Sequence, residues 1–344
     1  MSRATELVAG GALAGWMLMK AWRERESFSF EGKTVLVTGG SRGLGLVLAR
    51  DSAAAGARVA ICARDPDALE RARAALERIG AVVVAVPADV ADPESVRSLI
   101  GTVTERLGPV DVLINNAGVI EVGPAETMSV ADYAEAMDTN FWGMVYPTLR
   151  VLPSMRERGG GRIVNITSIG GKLGIPHLLP YSASKFAAMG FSQGLRAEVA
   201  QDGIAVTTVI PGLMRTGSPR NAIFRGKHRA EYAWFSIADS LPRLTVSANE
   251  ASQRILTAAR RGDAEVLFPV VARLAVIGSA VAPNLTAAAL HLAARLLPGA
   301  PSRPTGRQRG KDSQSGFSPS WLSRRGDEAA RKYNQVAPAE GSRA

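Results

Sequence analysis

The chain has a single cysteine, Cys62, and three histidines, His177, His228 and His291, among 344 residues. One cysteine excludes an internal disulfide framework, and its apolar surroundings read as those of a buried free thiol. The histidines lie far apart without metal-ligand spacing, so no metal site is expected. Zinc-finger spacing and ribonucleoprotein-type motifs are missing as well, so nucleic acid is not an expected partner. Long charge-free runs are scarce. Residues 7–19 form one of thirteen residues, and a helix of that length covers about 20 Å, short of the roughly 30 Å hydrocarbon core. Trp16 and Trp22 sit where interfacial anchors would. Residues 1–30 are therefore expected to be an apolar segment that either anchors the protein at a membrane surface or packs on it.

A second charge-free run, 274–290, is interrupted by Pro283-Asn284. That break predicts a helix–break–helix extension over 269–298 rather than one spanning helix. The extension either dips into one leaflet, with Arg273 and Arg295 at its edges, or packs against the domain or a second subunit. The net charge is +10. Residues 300–344 hold nine Lys/Arg against four Asp/Glu, so half of the excess lies in the tail. Being polar and rich in Pro, Gly and Ser, 299–344 reads as a basic disordered tail.

With 46% hydrophobic residues there is ample material for a core. Apolar, β-branched runs at 34–38, 58–62, 82–86, 112–114, 162–167, 204–210 and 265–268 predict strands buried on both faces. Amphipathic stretches between them, at 44–55, 67–79, 93–107, 130–152, 181–201 and 249–261, predict helices. The alternation predicts an α/β fold: one Rossmann-type doubly wound parallel sheet of about seven strands, helices on both faces, in a single domain over 31–268. Residues 211–247 break the rhythm and carry Phe224, Tyr232, Trp234 and Phe235, as a substrate lid would.

The first strand ends in Thr38-Gly39-Gly40-Ser41-Arg42-Gly43-Leu44-Gly45. Glycines let the backbone turn sharply, and the next helix then aims its N-terminal N–H groups at a pyrophosphate. Tyr181 and Lys185 are four residues apart, on one helix face. A phenol of pKa about 10 is a poor acid–base group at neutral pH, and a nearby ammonium lowers that value. Ser168 ends the strand before Tyr181, Asn115-Asn116-Ala117-Gly118 ends another, Asp89-Val90 follows a third, and Pro211-Gly212 with Thr216 follows a fourth. All belong to the carboxyl ends of strands, where open α/β sheets bind ligands.

From about 32 to 268 the chain resembles the short-chain dehydrogenase/reductase family, with motifs agreeing in kind, order and spacing. The resemblance implies four catalytic residues. Asn140 would stabilise a helix bend and hold a relay water. Ser168 would orient the substrate oxygen, Tyr181 would be the general acid/base, and Lys185 would hold the nicotinamide ribose and depress the tyrosine's pKa. It also implies that Gly39, Ser41, Arg42, Gly43, Leu44 and Gly45 cradle the cofactor. Asp89 and Val90 would meet the adenine, Asn116 and Gly118 the ribose side, and Pro211, Gly212 and Thr216 the nicotinamide end. Ala63 stands where NAD-using members often carry Asp, and Arg64 follows it. Guanidinium suits a 2′-phosphate, so Arg64 and Arg42 predict NADP(H) over NAD(H), although Asp65 sits one residue on.

The expected function is an NADPH-dependent carbonyl reductase or alcohol dehydrogenase. Leu173, Ile175, Leu178 and Leu179 with the lid aromatics point to a hydrophobic ketone or aldehyde. The rival reading is a catalytically silent NADP(H)-binding or membrane-associated interaction protein. A membrane-associated protein with a cytoplasmic catalytic domain is expected, a soluble cytoplasmic one being the alternative, and a homo-oligomer is left open. His177 is expected in solvent.

Overall fold

The computed structural model describes residues 28–241, 244–302, 306–316, 318, 320 and 323–336. The expected N-terminal anchor therefore lies outside the described residues, apart from 28–30. Seven parallel strands form the central sheet: β1 (Thr34–Thr38), β2 (Arg58–Ala63), β3 (Val83–Pro87), β4 (Val112–Asn115), β6 (Gly161–Ile166), β7 (Ile204–Pro211) and β11 (Glu265–Phe268). Their order is β3-β2-β1-β4-β6-β7-β11. The chain moves outward from β1 to β3 and then returns to β4 on the other side of β1. This reversal opens a crevice at the carboxyl ends of β1 and β4, the place where doubly wound sheets take ligands.

Strand β1 shows why the sheet is central. All five of its residues are buried. Val35 and Val37 belong to the core on one face, and Leu36 to the core on the other. Helices α1 (Gly43–Ala54), α2 (Pro66–Glu77), α3 (Pro93–Leu107), α4 (Val130–Met137), α5 (Gly143–Glu157), α6 (Leu179–Glu198) and α8 (Ala248–Arg261) accompany these strands. Asp65 caps α2 by accepting from the Ala68 N–H at 3.0 Å, and Asp92 caps α3 in the same way, each followed by proline. The single helix expected over 130–152 is divided between α4 and α5 by a π-helical turn, Asp138–Trp142. Such bulges often mark functional positions, and this one contains Asn140.

The lid has more regular structure than its sequence pattern predicts. It contains α7 (His228–Ala238) and short strands β8 (Met214–Arg215), β9 (Ile223–Phe224) and β10 (Val246–Ser247). Phe224, Tyr232 and Phe235 pack with Val122, Leu178 and Ala222 into a satellite core. The extension forms α9 (Val270–Val281) and α10 (Pro283–Leu296), with the break at Ala282. Among the described residues no helix is long and apolar enough to cross a membrane.

The described part of the tail is not disordered, contrary to its composition. Strand β12 (Gln308–Arg309) pairs with β9, which itself pairs with β5 (Glu121–Val122). Helix α11 (Arg324–Lys332) follows. Arg307 reaches the buried Glu121 at 3.1 Å and Glu135 at 2.5 Å. The tail's basic residues thus serve partly as counter-charges to acids buried in the domain. Such partners lie far off in sequence, so local composition does not reveal them.

Candidate active site

The crevice is built outward from the end of β1. Thr38 Oγ1 accepts from the backbone N–H groups of Asn116 and Ala117 at 3.0 and 3.1 Å. Asn116 Nδ2 donates to the carbonyls of Thr38 and Gly39 at 3.0 and 3.1 Å. These bonds lock the ends of β1 and β4 together and fix the glycine turn. Gly39 adopts φ +63°, and a Cβ at Gly45 would overlap the Gly39 carbonyl oxygen. Only glycine fits Gly45, which brings the first turn of α1 close under the crevice; of that turn's N–H groups, the one on Gly43 is taken by the Tyr333 carbonyl.

One cleft of about 620 Å³ extends from Arg64 past this turn to the lid. Every residue expected to act in catalysis or to bind the cofactor lies on it. Gly39, Ser41, Arg42, Gly43, Leu44 and Gly45 form its floor, and Arg64, Asp89 and Val90 its outer end. Asn116, Gly118 and Asn140 line the middle, and Ser168, Tyr181, Lys185, Pro211, Gly212 and Thr216 the inner end. Ile175 and Leu178 line it as expected, whereas Leu173 and Leu179 do not. Of the lid aromatics, Trp234 and Phe235 reach it.

Asn140 accepts from the Val119 N–H and donates to the Val119 carbonyl, both at 3.0 Å, and donates to Ser184 Oγ at 2.9 Å. It thereby pins the π turn to α6, the helix carrying Tyr181 and Lys185. Ser168 Oγ accepts from the Gly170 N–H at 3.0 Å and hydrogen-bonds Tyr181. Desolvation pushes the Tyr181 pKa up, and the Ser168 bond recovers only part of that. This differs from the expected depression by Lys185. The Lys185 Nζ sits 5.7 Å from the tyrosine ring centre and donates to the Ile166 carbonyl at 3.0 Å. Its own burial lowers its pKa to about 8, which weakens its hold on the phenol.

At the outer end Arg42 donates to Asn221 Oδ1 at 3.1 Å, and Arg64 approaches Asp89 at 4.0 Å. Burial lowers the Arg42 pKa, and the nearby guanidiniums of Arg309, Arg64 and Arg71 lower it further against the pull of Asp65. Positive charge crowded at the end of a cleft is relieved by a bound anion. Asp65 offsets part of this positive charge while one of its oxygens caps α2.

Asn221, Asp239 and Gln335 also line the cleft and have no motif that announces them. His177 is not in solvent. Its Nδ1 lies 3.0 Å from both oxygens of the buried Glu231, which also accepts from Trp234 Nε1 at 2.6 Å. Glu231 thus fixes the indole at the cleft wall.

Asp239 is buried, and one of its oxygens has no partner. Burial pushes its carboxyl up to about 8, with Arg215 opposing. The folded chain therefore keeps a proton that the unfolded chain has lost from about pH 4 upward, so stability falls as pH rises toward about 8. Asp239→Asn is expected to make the melting temperature fall less steeply across that window. Thermal melts at stepped pH check this, and parallel curves for parent and variant contradict it.

A family model described as short chain dehydrogenase matches residues 33–223. The Anopheles gambiae dehydrogenase/reductase SDR family protein 7-like is 36% identical over 268 residues, 76% of this chain and 83% of that one. Ketoacyl reductase HetN of Nostoc sp. is 39% identical over 181 residues, 53% of this chain and 63% of that one. A short chain dehydrogenase/reductase from Burkholderia phymatum, solved in complex with NAD, superposes with a TM-score of 0.69 at 24% identity, covering 75% of this chain and 96% of that one. At that identity the likeness bears on the fold alone.

Proposed function

The chain belongs to the short-chain dehydrogenase/reductase family of oxidoreductases, and from that premise we propose that it is an NADPH-dependent reductase of hydrophobic ketones or aldehydes. One observation carries the reading: a single cleft joins a glycine turn flanked by arginines to Tyr181, Ser168 and Lys185. The residues suit a dinucleotide. The glycine floor admits close approach, the first turn of α1 favours phosphate, and the arginines at the outer end favour a further anion. A nicotinamide cofactor bound there supplies the hydride.

The chain's own residues handle the proton. Tyr181 O–H donates to the developing alkoxide, and Ser168 orients the same oxygen. The same phenol gives its proton in reduction and takes it back in oxidation. Lys185, lowered to about 8 by burial, is still mostly an ammonium at neutral pH and so can return a proton to the site. Asn140 holds the turn that positions both helices' side chains. Ile175, Leu178, Trp234, Phe235 and Leu244 make the substrate end apolar.

The extension supports membrane-surface association. Leu274, Ile277, Val281, Leu285 and Leu292 are exposed on α9 and α10, while Val271, Ala272 and Ala275 of the same hairpin line the cleft. Arg273 and Arg295 sit on the hairpin and no acid does. Leu274→Glu with Leu285→Glu is expected to abolish flotation with anionic phospholipid vesicles while leaving cofactor affinity unchanged. A parent protein that stays with the soluble fraction overturns that part of the reading. The enzymatic part is tested with a panel of ketones and aldehydes of graded hydrophobicity, followed by NADPH absorbance. Turnover is expected to rise with substrate apolarity, and no turnover on any carbonyl overturns it.

A further inference from the structure

The C-terminal segment is docked on the glycine turn. The Gly43 N–H donates to the Tyr333 carbonyl at 2.8 Å. Tyr333 is buried against Val47, Ala248 and Ala329, and Ala330 packs where a Cβ on Gly217 would stand. Asn334 then takes a left-handed backbone, φ +57°, which asparagine tolerates. Its Nδ2 donates to the Ser41 and Ala68 carbonyls at 2.8 and 2.9 Å, and its Oδ1 accepts from Arg71 Nε at 3.0 Å.

This turn delivers Gln335 to the cleft wall. Its Oε1 accepts from Asn221 Nδ2 at 2.5 Å, and its Nε2 donates to the Thr216 carbonyl at 3.2 Å. Asn221 in turn accepts from Arg42. A chain of hydrogen bonds thus runs from Arg42 through Asn221 and Gln335 to Thr216. It passes over Gly43, where an added Cβ would come within 2.8 Å of Gln335 Nε2. An amide nitrogen has two donor hydrogens, and only one of Gln335's is used within the described residues.

We propose that Gln335, carried by the C-terminal segment, is a cofactor-binding residue that with Asn221 closes over the dinucleotide's diphosphate. The proposal rests on the cofactor reading above. The diphosphate is common to NADPH and NADH, so this contact is blind to the 2′-phosphate. That sets it apart from Arg64.

The test is equilibrium binding of NADPH and of NADH, read by cofactor fluorescence. Gln335→Ala is expected to raise both dissociation constants by a similar factor, about tenfold for one hydrogen bond to a charged group. Gln335→Glu nearly conserves shape and places an anion by the phosphates, so it is expected to weaken both more strongly. It keeps the question answerable if the alanine variant loosens the segment. Unchanged affinities in both variants overturn the proposal. So does tighter binding in Gln335→Ala, which would mean that the segment obstructs the cleft. A parent protein that binds neither dinucleotide overturns the proposed function itself. Selective loss of NADPH alone leaves that function standing and overturns the diphosphate assignment.

Discussion

Tyr181→Phe is expected to lower kcat by about a thousandfold, within the range for losing a positioned general acid, while NADPH affinity changes little. The substitution removes one oxygen and keeps the ring, so the packing of the cleft wall survives. The desolvation that raises the phenol's pKa is also what makes it costly to replace. The apolar Trp234 and Phe235 line the same cleft and offer no hydroxyl in its place. The expected pattern is lost turnover with retained binding, because the hydroxyl acts on charge that develops only in the transition state. Steady-state kinetics with direct cofactor titration separate the two quantities. Turnover close to the parent's would remove Tyr181 as the proton donor.

Arg64→Ala is expected to weaken NADPH by roughly thirtyfold and NADH by less than about twofold, as one charge-assisted contact to a phosphate would require. Arg64 is half-exposed, and its only ion pair among the described residues is the long one to Asp89. Its guanidinium is therefore available to an anion at little cost. Arg42 is more committed, since it already bonds Asn221. Its loss is expected to weaken both cofactors through that network. Paired titrations of the two dinucleotides decide the matter, and equal losses for Arg64→Ala would overturn the NADPH assignment.

The strands and the cleft were legible in the sequence because both depend on short-range patterns. Continuous β-branched runs such as 204–210 place themselves between helices. Carboxyl-end residues such as Ser168 and Asn116 then meet at one crevice by topology. The π turn at Asn140 leaves no mark in the periodicity of 130–152; only the family resemblance implies a bend there, and Asn140's two bonds to Val119 accompany it. The tail's contacts were not legible either. Arg307 finds Glu121, and Asn334 finds Ser41, across most of the chain length. A polar, proline-containing segment gives no periodic sign of such pairing. Lys185 illustrates a different gap. Its place beside Tyr181 follows from spacing, but the sign of the tyrosine's shift depends on desolvation, which spacing does not contain.

The central claim is that the cleft holds a nicotinamide whose hydride passes to a carbonyl carbon beside Tyr181. The most direct measurement uses NADPH carrying deuterium on one face of the nicotinamide C4, a hydrophobic ketone and mass analysis of the alcohol. The account predicts that one stereospecifically labelled form delivers deuterium to the carbinol carbon, and that Tyr181→Phe stops this. Alcohol formed without cofactor deuterium from either labelled form would contradict it.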